Sequence, residues 1–493
     1  MNENLIREVE QIAGKQNVMQ QKEMLEAYAA DSSGRHGYSP RAIVRVHSAD
    51  ETEKLIQVAG ELRIPLIPVS SGAPHGRGDT VPARPGSVIV DLSEMNRILH
   101  ISRQQRIAVI EPGVTYPQLQ RELAKEGMTL AAPLAPRENK SVIASLLEIE
   151  PRLNCIHQWN YSEPLRCMGV TWGDGNTLFT GEAGRGPKDL PQQWDSQKWQ
   201  VTQAGPNMID FARLLTTAQG TMGIVSWASL KCEVLPTIHR SFFIESDELN
   251  PLIDFMYDVI RPRFSDELFV INRAVLKKIM GTEPDGVKPW IAFCGIAGRE
   301  LLPEMRVAQQ EKDIREIAEG HGLFMNGNAG DIEAEAFYQT INGTAVNQNR
   351  NAWERGWREA EEGVARELPF VTTMETAPAF AEKIEVLSDQ LSADEWISET
   401  AIYIQPQHCG TSAHMEFDFF CEKKNSPHAI EELDRFVRKA QETLASAGAY
   451  YSRPYGDLAK IQLNKDCRTY EIQEKLRDIF DSNRIMNPGK LAL

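Results

Sequence analysis

The sequence predicts an α+β protein of two domains, and three observations carry that prediction. The chain has 493 residues, more than one hydrophobic core ordinarily organises. Short apolar runs alternate with helix-type segments between residues 40 and 130, and this patterning continues to Pro236. Beyond it, residues 237–449 mix long helices with strictly alternating strands, the pattern of an antiparallel sheet with helices against it. The expected organisation is a first domain over 1–236, a cap over 237–449, and a segment 450–493 that returns to the first domain.

The elements follow in chain order. Leu5, Val9 and Ile12 lie at helical spacing, so residues 1–30 read as a helical lead-in. Residues 40–46 read as a strand. Ser48 followed by Asp50 and Glu51 marks a helix start, because a serine hydroxyl caps free N–H groups and early acids suit the positive end of the helix dipole. Residues 64–69 form a buried-strand pattern, and further strands are read at 88–90 and 108–110. The polar segment 186–200 reads as a surface loop, and 226–232 as a strand. In the cap, 311–319 reads as an amphipathic helix with Ile314, Ile317 and Ala318 on its apolar face and Gly320 as its stop. Residues 351–367 read as a further helix carrying a Glu354–Arg358 i,i+4 pair. Residues 415–419 alternate as a strand, with His414, Glu416 and Asp418 on one face.

Composition narrows the function. A net charge of −16 argues against nucleic acid or an anionic membrane as partner. No run of 18 apolar residues suggests a membrane span, and the N-terminus lacks a secretory pattern, so a cytoplasmic protein is expected. Seven cysteines, none spaced as C-x-x-C, argue against a disulfide framework or an iron–sulfur cluster.

The most informative stretch is the loop Pro68-Val69-Ser70-Ser71-Gly72-Ala73-Pro74-His75-Gly76-Arg77-Gly78-Asp79. A strand that runs into small residues and glycines lets backbone N–H groups close around an anion, where a Cβ would obstruct them. Downstream come Gly86-Ser87-Val88-Ile89-Val90-Asp91, Met95-Asn96-Arg97-Ile98-Leu99 and Glu111-Pro112-Gly113-Val114-Thr115-Tyr116. Thr221-Met222-Gly223-Ile224-Val225 and the closing Asn487-Pro488-Gly489-Lys490 complete the set.

In this order the segments resemble the vanillyl-alcohol-oxidase/para-cresol-methylhydroxylase (PCMH) flavoprotein superfamily, over roughly 24–236 and 450–493. The resemblance implies a PCMH-type FAD-binding domain with an antiparallel-sheet-plus-helices cap, the flavin ring at their interface, and an oligomeric protein. It places Ser70, Ser71, Gly72, Ala73, Pro74, His75, Gly76, Arg77 and Gly78 on the cofactor, with Pro133, Leu134, Ser141, Gly223, Ile224 and Val225. Some members attach FAD to a loop histidine within Gly-Gly-His-Ser; the surroundings of His75 differ, so noncovalent FAD is expected. Arg77 is expected to neutralise Asp79, which stands where the family has glycine. Ala144 and Ser145 replace a glycine-containing pair that lies against the flavin, so restoring glycine at 144 is expected to tighten FAD.

By the same resemblance His157 falls near the flavin N5 edge, as a base or hydrogen-bond partner, and Arg453 with Tyr451 or Tyr455 parallels a phenolate-stabilising pair. The polar face of 414–418 reads as solvated or substrate-facing rather than as a metal site. The implied activity is hydride transfer from an aromatic alcohol or alkylphenol to flavin N5. A 2-hydroxy acid is the second substrate class, and a flavin-poor partner subunit of a larger redox complex is a third reading. Electrons would leave to an acceptor such as a separate subunit.

Overall fold

The computed structural model describes residues 2–154, 163–198, 200–205, 209–342, 354–422, 426–465 and 467–491. Among them, the first half of the chain builds two larger sheets and a two-stranded ribbon of Met128–Thr129 with Glu233–Val234. The first has the order Val18–Met19, Ala42–Arg45, Val88–Asp91, Leu66–Val69. Its last three strands are parallel, and parallel neighbours need a crossover. The helix Ala49–Leu62 supplies one. Ser48 caps it by accepting from the Glu51 N–H, and Leu55, Ile56 and Ala59 are buried against the sheet. The second sheet is antiparallel, ordered Ile98–Ser102, Ile107–Ile110, Gly223–Lys231, Leu165–Trp172, Thr177–Phe179.

From Ile238 the chain builds a seven-stranded antiparallel sheet, ordered Met325–Asn326, Ile238–Ser246, Trp290–Gly298, Glu267–Asn272, Glu399–Gln407, Ser412–Cys421, Val364–Thr372. One face carries the main apolar core, where Phe255, Val259, Ile314, Phe380, Leu433 and Phe436 meet Val270, Ile404, Phe417 and Phe419. The expected helix around 311–319 runs over Pro303–Gly320.

Two element readings are corrected. Of the helix expected over 351–367, residues 351–353 lie outside the described residues, only 354 and 355 are helical, and turns and bends then lead into the strand Val364–Thr372. Helix-forming Glu, Ala and Arg residues set the local preference, but nine consecutive pairings with Ser412–Cys421 override it. The loop expected over 186–200 contains the helix Leu190–Asp195, capped by Asp189, with Gln193 and Gln200 buried and bonded to each other.

Side-chain hydrogen bonds join the cap to the first half of the chain. Trp357 donates Nε1–H to the Leu134 carbonyl at 3.1 Å, Gln405 donates to the Arg152 carbonyl, and Arg77 meets Glu367 through two nitrogens at 3.2 and 3.1 Å. The closing segment acts as a clamp: Asn487 donates to the Asp79 and Gln219 carbonyls, and Lys490 to the Gly78 and Val81 carbonyls.

Candidate active site

The strand Leu66–Val69 ends at the glycine loop, which forms one wall of a two-part cleft. The inner part is lined by Pro68, Ser70, Leu92, Ile143, Ala144, Leu215, Met222, Gly223, Ile224 and Val225. These largely apolar walls suit a flat heteroaromatic ring. The outer part lies under the cap and is lined by Ser70, Ser71, Pro74, His75, Gly76, Arg77, Pro133, Ala144, Arg137, Lys140, Glu148, Glu150, Arg358, Glu359 and Glu367. The two parts share Pro68, Ser70, Asp79, Ala144 and Glu148, so they adjoin along these residues.

The loop fits a pyrophosphate. Gly72 donates N–H to Asn139, and Gly78, at φ 75°, donates to Asp31. Among the described residues the N–H groups of Ser71, Ala73, His75, Gly76 and Arg77 donate to no protein acceptor. Unspent amides in a loop of small residues form an anion cradle. His75 has no protein partner for Nε2 among the described residues, and burial with Arg137 and Lys140 lowers its pKa to about 4. It is therefore neutral near pH 7 and offers a hydrogen bond rather than a charge.

Arg77 does not neutralise Asp79. It pairs with Glu148, Glu150 and Glu367, and so ties the glycine loop to both the 142–150 segment and the cap. Ser141 is fully buried as the N-cap of the helix Val142–Leu147, and its hydroxyl donates to the Pro112 carbonyl. Ser145 is used as well: it accepts from the Tyr116 hydroxyl and donates to Glu150. The Ala144–Ser145 substitution thus belongs to a helix turn rather than to a glycine loop. Leu134 turns its side chain into a core cluster with Trp357 and Tyr403, and leaves the cleft to Pro133.

The cap supplies a row of buried polar groups. His414 Nε2 lies 2.8 Å from Glu416, which is bound by two nitrogens of Arg358. Asp418 lies beside them, directly across the ladder from Glu367. Burial and the neighbouring Glu416 push the Asp418 pKa well above its ordinary range, so this carboxyl holds its proton. Arg358 and Glu367 connect the row to the cleft.

Of the expected catalytic residues, His157 lies outside the described residues. Tyr451 is buried in the cap core, packs against Phe370, and donates its hydroxyl to the Gln441 carbonyl at 2.8 Å. That corrects the expected Tyr451–Arg453 pair, because the tyrosine hydroxyl is already spent away from the cleft. Tyr455 reaches the inner cleft instead, with the Arg77 guanidinium 5.8 Å from its ring centroid. Arg453 is buried, and its Nη2 has no partner among the described residues.

Two cleft residues escaped sequence reasoning. Arg137 lines the outer cleft and donates to the Pro74 carbonyl. Among the described residues no carboxylate pairs with it, and burial lowers its pKa. Glu359 lines the same cleft, accepts from Ser32 Oγ at 3.0 Å, and has its pKa raised by burial. Neither sits in a motif: Arg137 follows a proline-rich stretch, and Glu359 falls within the residues read as a helix.

The comparisons with known proteins agree with this geometry. The FAD binding domain family matches residues 40–148. The solved 4-ethylphenol oxidase from Gulosibacter chungangensis superposes with a TM-score of 0.80 at 18% identity, covering 99% of this chain and 96% of that one. Residues 40–148 thus carry an FAD binding domain, and the chain as a whole has the fold of that solved oxidase. The chain is an FAD-binding protein. It is 22% identical to D-2-hydroxyglutarate dehydrogenase of Stutzerimonas stutzeri, over 99% of this chain and 98% of the relative. It is 40% identical to 1'-carboxy-chondrochloren decarboxylase of Chondromyces crocatus over 302 residues, 58% of this chain and 49% of that protein, so it spans about half of that relative. Among the described residues no helix is long and apolar enough to cross a membrane.

Proposed function

We propose that this flavoprotein oxidises a carboxylate-bearing substrate, a 2-hydroxy acid, to the corresponding keto acid. The observation that carries the reading is Arg137, a cleft guanidinium spent on a carbonyl, whereas Arg77, Lys140 and Arg358 of the same wall each pair with a carboxylate among the described residues. A substrate carboxylate satisfies it through paired N–H···O bonds, which a guanidinium makes better than an ammonium. The names of the two curated relatives support an acidic substrate.

The chain's residues divide the work. Arg137 orients the carboxylate. Glu359, with its pKa raised toward neutrality, accepts the hydroxyl proton as the C–H bond breaks. FAD, when bound, supplies the hydride acceptor. The cap strand and Trp357 close the cleft, which keeps water from the reacting carbon. Ser70, Ser71 and the loop amides through Arg77 hold the pyrophosphate, and Gly223, Ile224 and Val225 border the inner cleft.

The test is steady-state turnover with an artificial dye acceptor, comparing 2-hydroxy acids with 4-alkylphenols. The expected result is turnover of an acid, with Arg137→Met raising its KM by roughly 10–100-fold, the worth of a charge-assisted hydrogen-bond pair. An acid KM unchanged by that substitution contradicts the reading. Arg453, buried with an unpartnered Nη2 near Tyr455, favours an alkylphenol as the second reading. In that case Arg453→Met, not Arg137→Met, abolishes turnover.

A further inference from the structure

A third cleft opens on the far side of the Arg77–Glu367 pair, between the glycine loop, the strand Val364–Thr372, the helix Pro427–Ser446 and the returning C-terminal segment. It shares Gly76, Arg77 and Glu367 with the substrate cleft and Tyr455 with the inner cleft, so these residues form the partition between them. We propose that this outer cleft is a second anion-binding site, taking a phosphate or carboxylate group on the guanidinium groups of Arg35, Arg366 and Arg438.

The backbone has been shaped around two of these guanidiniums. Gly34, Gly78 and Gly456 have φ of 76°, 75° and 58°. A Cβ at Gly34 would fall on the Arg366 guanidinium, and a Cβ at Gly78 or at Gly456 would fall on the Arg35 side chain. Arg35 is thus threaded between the pyrophosphate loop and the C-terminal segment through space that only glycines leave open. Holding a long side chain in one place costs conformational entropy, which a structural ion pair would offset. Arg35 has no such pair among the described residues.

The charges of the cleft do not balance. Glu367 is tied to Arg77, Asp434 to Arg366 at 2.7 Å, and Asp457 lies 3.8 Å from Lys460. Arg35 and Arg438 remain without a carboxylate among the described residues. Arg366 is buried and also donates to the Ser32 carbonyl, which fixes its guanidinium. In a chain of net charge −16, two uncompensated cations beside a fixed third one form a local positive field that draws small anions.

The experiment is calorimetric titration of the FAD-loaded protein with inorganic phosphate and, separately, with glutarate. Arg137→Met serves as the background, so that the substrate cleft contributes nothing to the signal. The expected result is binding of at least one anion that weakens with added salt and falls roughly tenfold or more in Arg35→Met/Arg438→Met, the loss of two charge-assisted contacts. Tighter phosphate identifies free phosphate or a phosphoryl group as the ligand; tighter glutarate identifies an organic carboxylate. Arg438 is exposed on its helix, so Arg438→Glu gives a folded variant in which binding must also drop. No binding by the parent protein, or binding unchanged in both variants, overturns the proposal.

Discussion

Arg137 and Glu359 line one cleft with opposite departures: a cation that burial destabilises and a carboxyl whose pKa burial raises. The proposed division of labour separates their variants kinetically. Glu359→Gln is expected to lower kcat with little change in KM, since a base acts in the transition state, whereas Arg137→Met acts mainly on KM. Equal effects on both constants in both variants would contradict it. His75 adds a pH signature. Its pKa is about 4 in the fold and near 6.5 in the unfolded chain, so between these values the unfolded state takes a proton that the native state does not. Its contribution to stability is complete above pH ~6.5 and is lost as pH falls toward 4. Melting curves from pH 8 to 4 should therefore fall less steeply for His75→Asn than for wild type; parallel curves would count against a buried neutral imidazole.

At the scale of elements, the strand Ser412–Cys421 is the part of the cap that the sequence exposed most clearly. The alternation of His414, Glu416 and Asp418 with Met415, Phe417 and Phe419 placed polar and apolar faces correctly. Its ion-pair partner was hidden, because Arg358 reads locally as half of a helical pair with Glu354 and reaches Glu416 only through tertiary structure. Breaking that pair with Arg358→Met strands a buried carboxylate and should cost about 3–5 kcal/mol in denaturant unfolding, most of it recovered in Arg358→Met/Glu416→Leu. A double variant as unstable as the single one would show that packing, not the stranded charge, sets the cost. The helix Val142–Leu147 carries a similar lesson. The small residues at 144 and 145 suggested a relaxed flavin loop, yet the Ser141 cap and the Ser145 bonds to Tyr116 and Glu150 make it a fixed turn. Glycine at 144 is now expected to loosen that turn by up to about 1 kcal/mol and not to tighten FAD. An FAD dissociation constant that falls in Ala144→Gly would restore the loop reading.

For the whole molecule, the alternation of strands and helices over 40–130, the glycine loop and the Asn487–Lys490 motif were legible because apolar patterning and local backbone demands written in Gly, Pro and Asn carry them. The substrate cleft was not, because its decisive charges come from separated stretches that only the cap docking brings together: Arg137 from the first half, Glu359 and Arg358 from the second. The same docking spends Arg77 on three carboxylates and turns Tyr451 into the cap core. The most direct test is anaerobic mixing of the FAD-loaded protein with a 2-hydroxy acid such as D-2-hydroxyglutarate and, in parallel, with 4-ethylphenol, following the visible flavin absorbance. The account predicts bleaching by a hydroxy acid, slowed in Glu359→Gln, and none by the phenol. Bleaching by 4-ethylphenol alone would contradict it.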